Sequence, residues 1–228
     1  MKTSKRSIVL LGGGFSDNEY PELDQFLLET SGAQRPRVCF IPTASGDSRG
    51  YIERFYNGLS DYNCDLAHLE LFRRDVSDFD DFLDRMDIIY VGGGNTANML
   101  EIWRLHKLDA ALCRAYERGT VLAGISAGAA CWFEACLTDS FGPLAVLNDG
   151  LGLIPGSFCP HYDSEVDRAA TYSDFIRRGL LAPGVGLDDG VAIRYIDETV
   201  ADVFSAQEGR SAHFVDSPAE QQHQEGTR

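Results

Sequence analysis

The sequence lacks long apolar runs and is poor in positive charge. No apolar stretch approaches the about 18 residues of a membrane-spanning helix, and the run ending at Leu11 is too short for the core of a secretory signal. Lys and Arg number 20 against 35 Asp and Glu, so the net charge is −15. Binding to nucleic acid or an anionic membrane requires clustered cations. We therefore expect a cytoplasmic protein with neither nucleic acid nor membrane as a partner.

Metal and nucleotide motifs are also missing. The six cysteines form no CxxC pair, and no histidines cluster at metal-ligand spacing. The glycine triplet that ends at Gly14 does not match the G-x-G-x-x-G pattern of dinucleotide-binding folds. We expect reduced thiols in the core, no metal and no cofactor.

What the sequence does contain is a regular alternation of buried strands and helices. Apolar, β-prone runs alternate with amphipathic helical segments through the first half of the chain. The runs are Ser7 to Gly14, Arg37 to Thr43, Asp87 to Gly94 and Val121 to Ile125, with an edge strand at Asp65 to Leu71. The first and third of these runs end in three glycines, and Pro42 closes the second. Parallel strands require such crossovers, so the pattern predicts an α/β fold: a mainly parallel sheet with helices on both faces in three layers.

The second half of the chain is less regular. Glycines and prolines punctuate residues 133–156, which predicts loops and short antiparallel strands. A helix is predicted at Glu165 to Arg178, and a terminal hairpin at Thr199 to Val215. We expect residues 1–215 to form one domain and residues 216–228, which have little to bury, to be a disordered tail.

The strand at Val121 to Ile125 leads directly into Ser126 and a run of small residues. Gly124, Ser126 and Gly128 match G-x-S-x-G, the pattern in which a serine nucleophile is held at a sharp strand-to-helix turn. A lone match is weak, but the strand before it and the helix after it supply the expected context. The N–H of Ala127 would then stabilise an oxyanion.

A second glycine triplet, residues 92–94, ends the preceding strand. Because ligands bind at the carboxyl ends of parallel strands, we expect this triplet to lie beside Ser126, with the N–H of Gly94 as a second oxyanion donor. A nucleophilic serine also needs a base. Of the five histidines, His161 is the best candidate because it opens a polar loop after a core segment. The acid that orients it is left open among Asp163, Asp188 and Asp189.

Several motifs together carry a family resemblance. In chain order they are GGGNT at Gly92 to Thr96, GISAGA at Gly124 to Ala129, PHY around His161, and GLDDG at Gly186 to Gly190. This set resembles the peptidase E, or aspartyl dipeptidase, family of serine peptidases, which is related to cyanophycinases. The resemblance implies a flavodoxin-like fold similar to class I glutamine amidotransferases.

For the site, the resemblance implies Ser126 as nucleophile, His161 as base and Asp189 as the triad acid, with no metal or cofactor. Many members of the family have Glu where this chain has Asp189, so a shorter side chain must reach the histidine. Pairing with a substrate aspartate requires a cation. Arg168 is our candidate, and Asn95 of the GGGNT motif is a second substrate-binding candidate.

The expected activity is hydrolysis of short peptides with a preference for N-terminal aspartate. A broader peptidase or a cyanophycinase-like hydrolase could use the same triad, and a catalytically silent binding module could use the same fold. The sequence leaves open whether the chain forms a homo-oligomer.

Overall fold

The computed structural model describes residues 5–17 and 19–217. Most of the predicted tail, residues 218–228, lies outside the described residues. The described chain forms two β-sheets and seven α-helices. The strands are β1 (Ser7–Leu11), β2 (Arg37–Ile41), β3 (Asp65–His68), β4 (Ile88–Val91), β5 (Val121–Ile125), β6 (Phe133–Thr138), β7 (Ala145–Leu147), β8 (Ile154–Cys159), β9 (Gly184–Leu187), β10 (Val191–Ile196), β11 (Thr199–Ser205) and β12 (Ala212–Val215). The helices are α1 (Pro21–Thr30), α2 (Arg49–Gly58), α3 (Phe79–Leu83), α4 (Thr96–His106), α5 (Leu108–Arg118), α6 (Ala127–Ala130) and α7 (Arg168–Arg177).

The larger sheet has the strand order β11-β10-β1-β5-β4-β2-β3. Strands β1 to β5 are parallel to one another, as the alternating pattern predicts, and β10 and β11 add antiparallel strands at one edge. Strand β3 lies at the other edge, where its mixed polar and apolar sequence predicts it. The α/β class with a mainly parallel central sheet is confirmed.

Helices cover both faces of this sheet. One face packs on apolar side chains of α1 and α2, including Leu23 and Phe55. The other packs on α4, α5 and α6, with the buried Trp103 and Trp132 in its centre. Alternate residues of each strand supply the two faces, because successive side chains of a strand point in opposite directions. The three-layer arrangement follows from strands that are apolar on both sides.

The second sheet has the order β12-β9-β8-β6-β7, of which β6, β8 and β9 are parallel. Its apolar residues join the core of the larger sheet on one side and pack on α7 through residues such as Tyr172 on the other. Within residues 133–156, β6 and β7 are short antiparallel strands joined by a loop, as predicted. The pairing of β6 with β8 is parallel and was not predicted.

The predicted terminal hairpin is wrong. Strand β11 pairs with β10 in the larger sheet, and β12 pairs with β9 in the smaller one. Each segment does form a strand, but the loop between them carries the chain from one sheet to the other. Alternating hydrophobicity indicates a strand without indicating its partner.

In the part of the chain that the structure describes, none of the helices has the length and apolar character needed to cross a bilayer.

Candidate active site

Ser126 lies at the turn between β5 and α6. Its backbone has φ 54° and ψ −115°, a combination that residues with a side chain rarely adopt and that costs about 1–3 kcal/mol. Two glycines make the turn possible. A Cβ on Gly124 would lie 2.1 Å from the carbonyl oxygen of Gly128, and a Cβ on Gly128 would lie 2.1 Å from that of Val91. The G-x-S-x-G pattern thus has the strained strand-to-helix geometry that it predicts.

His161 and Asp189 come from two loops of the second half of the chain. His161 follows β8, Asp189 lies between β9 and β10, and their Nδ1 and Oδ1 atoms are 2.8 Å apart. The other carboxylate oxygen of Asp189 accepts a hydrogen bond of 2.5 Å from Ser164 Oγ. The backbone N–H of Asp189 donates to Asp163 Oδ1 over 2.9 Å. Asp189 is therefore held at its backbone and at both oxygens.

Neither of the other two candidate acids contacts His161. Asp188 is 3% exposed, and its Oδ2 accepts hydrogen bonds from the backbone N–H of Ser211 and pairs with His213 Nε2 at 2.9 Å. Asp163 forms an ion pair with Arg210 and supports the backbone of Asp189. Of the three carboxylates that the sequence left open, only Asp189 forms a hydrogen bond with His161 among the described residues.

The histidine and the carboxylate stabilise each other's charged forms. Burial by itself disfavours imidazolium and lowers the pKa of His161, but the hydrogen bond and the charge of Asp189 outweigh it, and the net pKa is raised above its ordinary value. Burial likewise raises the pKa of Asp189, but hydrogen bonds from His161 and Ser164 reverse this, and its net pKa is lowered. Asp189 stays ionised at neutral pH, as an orienting carboxylate must.

Ser126 and His161 line one cavity of about 240 Å³. The other lining residues are Ser16, Asp17, Tyr51, Arg54, Gly93, Gly94 and Ile125. No hydrogen bond joins Ser126 Oγ to any of the described residues, so the serine hydroxyl is unengaged. In a ligand-free site the hydrogen bond between a nucleophile and its base is often long, and it tightens only when substrate binds.

The end of β4 lies against the serine turn. A Cβ on Gly93 would be 3.3 Å from Ser126 Cβ, which confirms that the two glycine motifs are neighbours. Gly94 has φ +140°, and a Cβ there would lie 2.2 Å from the carbonyl oxygen of Ala44, so only glycine fits. Among the described residues, the N–H groups of Gly94 and Ala127 donate to no protein acceptor, whereas that of Gly93 donates to Tyr51 Oη. Both predicted oxyanion donors therefore lack a protein acceptor, and Gly94 also lines the cavity.

The two predicted substrate-binding side chains have partners within the protein and do not line the cavity. Asn95 caps α4 by accepting from the N–H of Asn98 at 2.8 Å, and its amide nitrogen donates to the carbonyl oxygen of Ser140. Arg168 is 3% exposed and its Nε donates to Glu165. Asn95 is the N-cap of a helix and Arg168 begins one that packs on the second sheet, which explains why both side chains turn away.

The sequence reasoning missed Asp17 and Arg54. Asp17 lies in the polar loop after β1 and Arg54 on the polar face of α2, and both line the cavity. A signal was present for Asp17, because the loop follows the carboxyl end of a buried parallel strand, where ligands bind. Arg54 carries no such signal, since a charged residue on a helix is most often a solvated one.

Within residues 5–17 and 19–217, no group of three or more His, Cys, Asp or Glu side chains is arranged to hold a metal ion. Cys131, the cysteine closest in sequence to Ser126, is fully buried, and burial raises the pKa of its thiol well above the ordinary value. Such a thiol is not a nucleophile at neutral pH.

Comparison with known proteins shows to which family the chain belongs. The model of peptidase family S51 matches residues 8–203. The chain is 47% identical over 212 residues to a Bacillus subtilis (strain 168) protein named uncharacterized peptidase YgaJ, with 92% of each chain covered. It is 29% identical over 171 residues to peptidase E of Streptomyces coelicolor, covering 69% of this chain and 67% of that one. The crystal structure of a peptidase from an acI-B1 actinobacterium superposes with a TM-score of 0.70 at 19% identity, covering 94% and 92% of the two chains. A family match over most of the chain, together with a serine at a strained elbow, shows that the chain belongs to peptidase family S51 and is a serine-type peptidase.

Proposed function

We propose that this peptidase hydrolyses short peptides through an acyl-enzyme formed on Ser126, with His161 as general base and Asp189 as the orienting acid. The observation that carries the proposal is that the serine and the histidine line one small cavity, while the far side of the imidazole is held by Asp189. The volume of about 240 Å³ is below the roughly 300–1,000 Å³ of pockets that hold drug-sized ligands. The cavity therefore suits one or two residues of a peptide.

The reaction begins when Ser126 Oγ attacks the scissile carbonyl carbon. His161 Nε2 accepts the hydroxyl proton, because Nδ1 is engaged by Asp189. The carbonyl oxygen becomes an oxyanion, which accepts hydrogen bonds from the N–H groups of Gly94 and Ala127. The imidazolium then donates its proton to the leaving amine as the C–N bond breaks.

Deacylation repeats these steps with water as the nucleophile. His161 takes a proton from the water, the new tetrahedral oxyanion occupies the same two donors, and the proton returns to Ser126 Oγ as the ester bond breaks. Asp189 stays ionised throughout and stabilises the imidazolium that forms in each half of the reaction. The raised pKa of His161 is the ground-state sign of that stabilisation.

We further propose a preference for N-terminal aspartate, in line with the family resemblance. Such a preference needs a cation near the acyl residue, and two arginines are candidates. Arg54 lines the cavity, with its guanidinium carbon 4.8 Å from the centre of the Tyr51 ring. Arg168 is buried outside the cavity lining, where its Nη1 has no hydrogen-bond partner among the described residues. Arg54 is the favoured candidate for binding the substrate carboxylate, because it lines the cavity and Arg168 does not.

Cleavage of an Xaa-Leu dipeptide panel by the wild-type protein and by Ser126→Ala tests the mechanism. We expect hydrolysis by the wild type alone, together with labelling of Ser126 by a fluorophosphonate probe. Hydrolysis confined to Asp-Leu supports the aspartate preference, and hydrolysis across the panel indicates a broader peptidase. An Asp–Arg peptide is tested beside the panel, and its cleavage without cleavage of any Xaa-Leu dipeptide indicates a cyanophycinase-like hydrolase. Neither hydrolysis nor labelling contradicts the catalytic assignment and indicates a silent binding module.

Comparing the hydrolysis of Asp-Leu with that of its near-isosteric analogue Asn-Leu shows which of the two arginines binds the substrate carboxylate. If Arg54 binds the substrate carboxylate, Arg54→Gln lowers kcat/KM for Asp-Leu by about 10- to 100-fold and leaves Asn-Leu nearly unchanged. Arg168→Gln tests the competing candidate in the same assay, with a melting curve because Arg168 is buried. If instead Arg168→Gln alone removes the discrimination, the carboxylate is bound by the buried arginine and the role of Arg54 is excluded.

A further inference from the structure

Two side chains of opposite charge line the cavity beside Ser126. They are Asp17, on the loop after β1, and Arg54, on α2. No ion pair joins them, and among the described residues neither side chain forms a hydrogen bond or a salt bridge, although the guanidinium of Arg54 lies over the ring of Tyr51. A cavity that presents one unpaired anion and one unpaired cation is complementary to a zwitterion.

The loop that carries Asp17 is anchored on both sides of it. The N–H of Gly14 donates to the carbonyl oxygen of Glu19 over 2.8 Å, and the N–H of Asp17 donates to that of Gly14 over 3.2 Å. The adjacent Ser16 is buried, and its Oγ forms a 2.6 Å hydrogen bond with Tyr51 Oη. Tyr51 Oη in turn accepts the N–H of Gly93 at the end of β4. The position of Asp17 is thereby linked to the wall that faces Ser126.

The charges of the catalytic groups also act on the carboxylate of Asp17. The cavity wall partly desolvates it, which raises its pKa, while the charges of His161 and Arg54 lower the pKa and that of Asp189 raises it. None of these charged groups is a direct partner of Asp17. Because Asp17, Ser126 and His161 line the same cavity, Asp17 lies within reach of a ligand positioned between the serine and the histidine.

In a peptide attacked at its first carbonyl, the α-ammonium is bonded to the carbon next to the reacting carbonyl carbon. With that carbonyl held by the N–H groups of Gly94 and Ala127, the ammonium must occupy the same small cavity. We infer that Asp17 binds the α-ammonium of the residue whose carbonyl Ser126 attacks, and so restricts the enzyme to peptides with a free N-terminus. This inference rests on the proposed function, of which it specifies the substrate class.

A charge-assisted hydrogen bond between ammonium and carboxylate supplies the selectivity. A substrate without the ammonium loses this attraction, while the carboxylate of Asp17, an exposed residue, stays hydrated. Because Asp17 retains contact with solvent, we expect a discrimination of about 10- to 100-fold rather than more.

The test measures binding to Ser126→Ala, so that it does not depend on turnover. Two ligands are compared by titration calorimetry: Asp-Leu and succinyl-leucine, which has the same skeleton with hydrogen in place of the ammonium. We expect Asp-Leu to bind about 10- to 100-fold more tightly. Asp17→Asn in the same background should bring the two affinities within about threefold of each other, and Asp17→Ala should do the same. Glu19→Gln is the matched control, because it removes a negative charge from the same loop without touching the cavity lining.

The possible results separate the two proposals. Equal affinities in Ser126→Ala, no binding of Asp-Leu, or discrimination that survives both substitutions of Asp17 would each overturn the role of Asp17. Hydrolysis of the dipeptide panel by the wild type decides the catalytic proposal independently. A melting curve for each variant shows whether the binding change is accompanied by loss of the fold.

Discussion

The buried carboxyl of Asp24 makes the stability of this protein depend on pH. Asp24 lies on α1, is 3% exposed, and has an oxygen without a hydrogen-bond partner among the described residues. Burial raises its pKa from an ordinary 3.8 to about 7, and the backbone N–H of Phe15 offsets this only in part. Ionising the carboxyl in the folded state is therefore costly.

The direction of this pH dependence follows from how many protons the folded and the unfolded chain bind at Asp24. Between about pH 4 and pH 7 the folded chain keeps a proton at Asp24 that the unfolded chain has lost, so the free energy of unfolding falls as pH rises. Above about pH 7 both states are ionised and the full penalty remains. At 1.36 kcal/mol for each pKa unit, a rise from 3.8 to about 7 corresponds to about 4 kcal/mol at pH 8. Roughly 1.5 kcal/mol of this is already present at pH 5.

Asp24→Asn replaces the carboxyl with a neutral group of the same shape and removes this penalty. We expect the advantage of the variant over the wild type to grow by about 2–3 kcal/mol between pH 5 and pH 8, a difference of about 5–10 °C in Tm. Urea unfolding at both pH values, followed by the fluorescence of the buried Trp103 and Trp132, measures it. Glu22→Gln, an exposed change on the same helix, is the control and should show little pH dependence. An advantage that is equal at both pH values, or a variant less stable at pH 8, would refute the reasoning.

Three further predictions concern the site and its support. Asp189→Asn should lower kcat by orders of magnitude, because it favours the wrong tautomer of His161. Asp188→Asn should lower the stability of the fold and change kcat little. A larger loss of kcat in Asp188→Asn than in Asp189→Asn would assign the role of the acid to Asp188. The acid limb of the plot of kcat/KM against pH should have its midpoint above the ordinary histidine pKa of 6.5, because His161 must be deprotonated to act as a base and its pKa is raised. Asp189→Asn should lower this midpoint. A midpoint below 6.5 in the wild type would contradict the prediction. Gly128→Ala should destabilise the fold by about 1–3 kcal/mol in urea unfolding, because its Cβ would lie 2.1 Å from the carbonyl oxygen of Val91, and unchanged stability would argue against close packing of the elbow.

The central strands were predictable because each is a short apolar run between helical segments. Strand β5 has its predicted range, and β1, β2 and β4 lie within theirs but end two or three residues earlier. Nearly all residues of the four strands are buried. Burial on both faces leaves such a run no amphipathic alternative, so sequence and structure agree. The terminal strands behave differently. The residues of β11 and β12 indicate strands, but each pairs with a neighbour that only the arrangement of the two sheets supplies.

The same division holds at the site. Sequence by itself determined the features that depend on local backbone conformation. These are the strained turn at Ser126, the requirement for glycine at position 94, and the proximity of the two glycine motifs at the carboxyl ends of neighbouring strands. It also restricted the choice of base to a histidine in a polar loop.

Only the tertiary structure decided which side chains meet. Asp188 and Asp189 are adjacent in sequence, yet one faces Ser211 and His213 while the other faces His161, since successive residues at this turn point to opposite sides. Arg168 matched the expected chemistry but turns into the second sheet, whereas Arg54 reaches the cavity from a different helix. The physical reason is that short-range sequence sets backbone conformation, while contacts between distant segments depend on strand order and helix packing.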